Sequence, residues 1–156
     1  MPRMRLLLGT VVFAALVSTA AAQPAGPDVT LTWDAGEMSK DLSVWHTVIT
    51  VTGDKVHYEQ TYSGRNAGQP DTKPKRGDAT VKDAAKLSAA LAALDAMPNT
   101  KPAPSRNSAE HRETGCVKHG AKARCGSHIG KDAPNADFKA VSDVRDAIGD
   151  ASLTPG

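Results

Sequence analysis

Aromatic residues are scarce in this chain, with two Trp, two Tyr and two Phe among 156 residues. So few large rings leave a small core built mainly from aliphatic side chains, to which an additional staple would add useful stability. Cysteine is nearly absent as well, so Cys116 and Cys125 are the only residues that can form one. Neither sign of charge predominates. The 19 basic residues, less Arg3 and Arg5 of the N-terminal leader described below, leave 17 against 17 acidic ones. Near-neutrality removes the basic excess that general nucleic-acid binding requires, although a local basic patch remains compatible with it. The sequence holds no internal repeat, which excludes solenoids and propellers. It also holds no G-x-S-x-G, H-E-x-x-H, Walker loop, EF-hand loop or C-x-x-C, so no catalytic group and no cofactor is indicated.

What is present begins with an export address. Arg3 and Arg5 precede an apolar run from Leu6 to Leu16, and Ser18-Thr19-Ala20-Ala21-Ala22 ends in an A-x-A pattern before Gln23. Eleven apolar residues are too few to remain as a membrane-spanning helix, and no Cys follows to accept a lipid. The expectation is a signal peptide over residues 1–22, cut after Ala22, and a single mature domain over 23–156 that is periplasmic or secreted, with no membrane span once the signal is gone.

Along the mature chain, Val29, Leu31 and Trp33 alternate with Thr30, Thr32 and Asp34 as in a half-buried strand, and Gly36 to Asp41 reads as a turn. Val44 to Tyr62 reads as a hairpin folded at Gly53-Asp54. Pairing Thr52 with Lys55 sets Val51 opposite Val56, Ile49 opposite Tyr58, Thr47 opposite Gln60 and Trp45 opposite Tyr62 on one face. Ser63 to Ala79 is polar and irregular and is expected to be a long exposed loop. A helix is expected from Thr80, with Thr80 and Asp83 as a capping box and Ala84, Leu87, Leu91, Leu94 and Met97 as its apolar stripe, until Pro98. Pro98 to Arg112 reads as a second surface segment. A second hairpin follows, and a last helix runs from near Asn135 to Gly149 with Phe138, Val141, Val144 and Ile148 on one side. The predicted fold is α+β, a small antiparallel sheet of about five strands, including two β-hairpins, covered by two amphipathic helices.

The second hairpin carries both cysteines. Gly120-Ala121 suits a two-residue turn, which places Lys118 opposite Ala123, Val117 opposite Arg124 and Cys116 opposite Cys125 at a non-hydrogen-bonded position. Such a pair, with Cα atoms roughly 4.5 Å apart in an oxidising compartment, predicts a Cys116–Cys125 disulfide. The alternative reads CVKH and CGSH as two C-x-x-H units giving a Cys116, His119, Cys125, His128 metal site in a periplasmic metal-binding protein. Strand geometry opposes it, because residues three apart point to opposite faces.

The same register sets Glu113 opposite His128, the germ of a small hydrolase with a fold-assembled His/carboxylate site, for which no nucleophile is indicated beyond Ser127 as a sequence neighbour. His46 and His57 lie on the polar face of the first hairpin, roughly 13 Å apart, and read as exposed sheet histidines. Arg65, Lys73, Lys75 and Arg76 form the candidate binding loop, suited to an acidic protein patch or an anionic polymer; Arg76-Gly77-Asp78 spells RGD by coincidence. The functional expectation is an exported, disulfide-containing, non-catalytic binding or accessory protein.

Overall fold

A computed structural model describes residues 27–37, 43–98, 111–131 and 133–149. The leader, residues 38–41 of the turn expected over Gly36 to Asp41 and nearly all of the Pro98–Arg112 segment lie outside these residues, while Gly36 and Glu37 belong to a strand rather than a turn because they pair with Val44 and Ser43. The described chain forms strands β1 (Val29–Glu37), β2 (Ser43–Thr52), β3 (Lys55–Ser63), β4 (Lys75–Thr80), β5 (His111–His119) and β6 (Lys122–Ile129), with helices α1 (Ala84–Ala96) and α2 (Ala136–Ile148). All neighbouring strands are antiparallel, in the order β4-β3-β2-β1-β5-β6. The class is α+β, with six strands rather than about five.

The additional strand is β4, inside the segment expected to be a loop. Its sequence KRGDAT has no apolar alternation because it is an edge strand that buries little. What holds it is its ladder with β3, Ala79 opposite Val56 at the core margin, and Tyr58 lying over Gly77. Residues 64–74 are folded on themselves: the buried Thr72 donates its hydroxyl to the carbonyl oxygens of Asn66 and Gln69 at 2.6 and 3.1 Å.

Both expected hairpin registers are present, from Thr52 opposite Lys55 and from His119 opposite Lys122. Strand β1 joins them. It sets Leu31 between Ile49 and Val117, and Trp33 between Thr47 and Gly115. Alternation then sends Val29, Leu31, Trp33 and Ala35 to one face, where they share a core with Ile49, Val51, Val56 and Val117 from the sheet, Leu87, Leu91 and Leu94 from α1, and Phe138, Val141, Val144 and Ile148 from α2.

Helix α1 starts four residues later than its sequence suggests. Asp83 alone is the N-cap, accepting from the Lys86 N–H at 2.9 Å, while Thr80 closes β4. Ladder pairing of Thr80 with Lys55 takes precedence over the capping-box pattern. Helix α2 has the expected ends: Asn135 accepts from the Phe138 N–H at 2.8 Å, and Gly149 closes it in the left-handed region. The entry to α1 is tied to the exit of α2, Lys82 and Asp83 donating backbone bonds to Ile148 and Ala147.

Two opposed glycines seat α2. Gly115 and Gly126 face each other across β5 and β6. A Cβ on Gly115 would come within 2.6 Å of the Trp33 ring, and one on Gly126 would overlap the Phe138 backbone. We therefore expect Gly126→Ala to force α2 off the sheet and to destabilise the fold by about 2 kcal/mol or more. A thermal melt checks this; an unchanged midpoint would contradict the seating.

Candidate functional site

The disulfide joins Cys116 to Cys125, cross-strand neighbours with Cα atoms 4.1 Å apart. It lies on the sheet face opposite the helices, because Val117 and Arg124, one residue away on each strand, belong to the helix side. His119 and His128 also belong to the helix side, so the four residues of the alternative metal set do not converge. Each histidine is otherwise engaged: His119 Nδ1 lies 2.9 Å from Asp95 Oδ2, and the His128 ring packs at 5.4 Å from Phe138. Among the described residues no group of three or more His, Cys, Asp and Glu side chains is placed to hold a metal.

The tip of the second hairpin caps α1. Arg124 donates from Nε and Nη2 to the Met97 carbonyl at 3.1 and 2.8 Å, and Lys122 Nζ donates to the Asp95 carbonyl at 3.0 Å. Cations at a helix C-terminus satisfy its orphan carbonyls and complement its dipole. Glu113 stands opposite His128 as expected, yet its carboxylate lies 3.5 Å from His111 Nε2, and Ser127 falls on the other face. No Ser–His–carboxylate geometry results.

The face away from the helices carries cross-strand histidine–carboxylate contacts. His46 Nδ1 contacts Asp34 Oδ1, its direct opposite on β1. His57 Nδ1 lies 2.7 Å from Asp78 Oδ1, its opposite on β4, with Glu59 3.6 Å from the other ring nitrogen. The Asp78 hydrogen bond, foremost, raises the His57 pKa above its ordinary value. Glu59 belongs to the same hairpin, whereas Asp34 and Asp78 appear only once β1 and β4 are set beside it.

The four cations of the candidate loop are divided between two segments. Arg65 and Lys73 are in the exposed 64–74 segment, whereas Lys75 and Arg76 open β4 and point to opposite faces. Lys75 Nζ lies 5.3 Å above the Trp45 ring, which meets Tyr62 edge-on at 5.1 Å. Behind them Gln60 Nε2 donates to Thr47 Oγ1 at 3.2 Å, a buried polar pair. The sheet edge here is indented by a cleft of about 400 Å³ lined by Glu59, Gln60, Thr61, Pro74, Lys75 and Arg76. The cation–aromatic contact and the cleft had no signal in the sequence, because both depend on β4. Arg76-Gly77-Asp78 is part of this edge strand, with Asp78 already turned to His57.

Two outcomes follow from this geometry. Replacing Cys116 and Cys125 together by Ser should lower stability by at most about 3 kcal/mol, the loop-closure value for so short a loop, while preserving the far-ultraviolet spectrum. In an NMR titration His57 should titrate above the ordinary histidine value, and Asp78→Asn should bring it down. Because the folded-state value is the raised one, the pair's contribution is complete below the unfolded histidine pKa and fades as pH rises through the folded one. Among the described residues no helix is long and apolar enough to cross a membrane. The chain matches no protein-family model, no curated protein and no solved structure.

Proposed function

We propose that the chain is an exported, non-catalytic binding or accessory protein, and that its ligand-contacting surface is the cleft at the start of β4. The observation that carries the reading is the cleft itself, walled by Lys75 and Arg76 beside the half-exposed Trp45 and Tyr62. Glu59 is the one acidic side chain in its lining, so its charge balance favours an acidic group, whether from a protein surface or an anionic polymer. Aromatic rings next to a cation add a flat apolar surface to that charge. Export is supported by the Arg3–Ala22 pattern, and a disulfide is compatible with the oxidising compartment such a leader would reach.

Titration of the purified protein with poly-L-glutamate at low ionic strength tests the site. Binding is expected to weaken at least about fivefold in Lys75→Glu and to fall with added salt. Binding equal in Lys75→Glu and the unaltered protein, or no binding to either, would overturn the assignment.

A further inference from the structure

We propose that β4 is a self-association edge, through which two copies of this chain join their sheets antiparallel with Gly77 on the two-fold axis. Among the described residues no strand pairs with the outer side of β4, and its ladder with β3 runs unbroken from Lys55 opposite Thr80 to Gln60 opposite Lys75. No bulge turns this edge away, so its outward N–H and C=O groups are free to pair with another strand. Strand addition at such an edge uses main-chain hydrogen bonds for affinity and side chains for register.

The side chains select both partner and register. In a continuous two-fold sheet, directly opposed residues share a face, so the axis must pass through a residue of β4. Arg76 and Asp78 are on the face away from the helices, as the partners of Glu59 and His57. An axis at Asp78 would oppose two carboxylates and one at Arg76 two guanidinium groups. An axis at Gly77 places Arg76 of each copy opposite Asp78 of the other, and Lys75 opposite Ala79. Two ion pairs then form. The row across the junction reads His57, Asp78, then the second copy's Arg76 and Glu59, with signs alternating throughout.

Both groups are available for this. Arg76 has no ion-pair partner among the described residues, and the Asp78 side chain is 84% exposed despite its contact with His57. The opposite edge offers nothing equivalent. On β6 the face away from the helices carries Ala123, Cys125, Ser127 and Ile129, and the other face carries Lys122 and Arg124 of one sign, both committed to the end of α1. Arg76 also lines the cleft of the ligand reading, but the two proposals are separable, because Lys75→Glu, which tests that reading, alters neither ion pair.

Sedimentation of the purified protein across a concentration series up to about 0.5 mM reads the equilibrium. A weak dimer is expected, since a short strand pair buries little surface. Arg76→Asp and Asp78→Arg should each weaken it at least about tenfold, because each homodimer then opposes like charges twice. Mixing the two variants in equal amounts should restore association, as each then presents what the other lacks, and the Arg76→Asp/Asp78→Arg double variant should recover it alone. A monomer at every concentration would overturn the proposal. So would a dimer that survives both single reversals, or a mixture that fails to associate.

Discussion

The contact on which the architecture depends is the Trp33 ring lying over Gly115. Strand β1 is the seam between two otherwise separate antiparallel units, β2-β3-β4 on one side and β5-β6 on the other. Its central side chain is the largest fully buried one among the described residues. The indole is accommodated only because its neighbour on β5 has no Cβ, and the matching gap at Gly126 lets the first turn of α2 settle beside it. Phe138 meets the indole at 5.2 Å and the Arg145 guanidinium lies 4.0 Å above it, so one ring is clamped by both ends of α2. Glycine weakens a strand by itself, and here that cost is offset by the apolar surface the close approach buries.

Once α2 is fixed there, the placement of the remaining polar residues follows. Helix α1 is tied to α2 at its start and to the β5–β6 tip at its end, where Lys122 and Arg124 serve its last carbonyls and His119 its Asp95. The two histidines of the ligand set read in the sequence are thereby engaged on the helix side, His119 at the end of α1 and His128 against Phe138. The disulfide, one residue out of phase, is on the other side of the same hairpin. Period-two alternation separates the two sets before any energetic argument is needed.

Legibility in the sequence divides along the same line. The two hairpins could be read directly because Gly53-Asp54 and Gly120-Ala121 fix the register locally, and register then fixes every cross-strand neighbour, including Cys116 with Cys125. The ends of α2 were equally local, written in Asn135 and Gly149. Strand β4 was not legible. Lys75–Thr80 has neither β-branched alternation nor a tight turn leading into it, and it becomes a strand only because β3 offers an edge and Tyr58 covers Gly77. The placement of the candidate cations was not legible for the same reason, since a loop gives Lys75 and Arg76 no fixed faces whereas a strand sends them to opposite ones.

That loss of proximity changes the chemistry available at the β4 edge. A flexible basic loop would attract any anion and specify nothing, because its charges can rearrange around each new partner. On a strand the same residues have fixed addresses: Lys75 is held over Trp45 on the helix side, and Arg76 alternates with Asp78 on the other. Lysine near an aromatic ring retains its charge for an acidic ligand, whereas an Arg and an Asp two residues apart on an unpaired edge are complementary chiefly to their own inverted copy. Under the two proposals Lys75 serves the ligand cleft, while Arg76, which also lines that cleft, serves the junction between copies. That arrangement depends on backbone pairing with β3, through which a segment with no apolar pattern of its own acquires two chemically distinct faces.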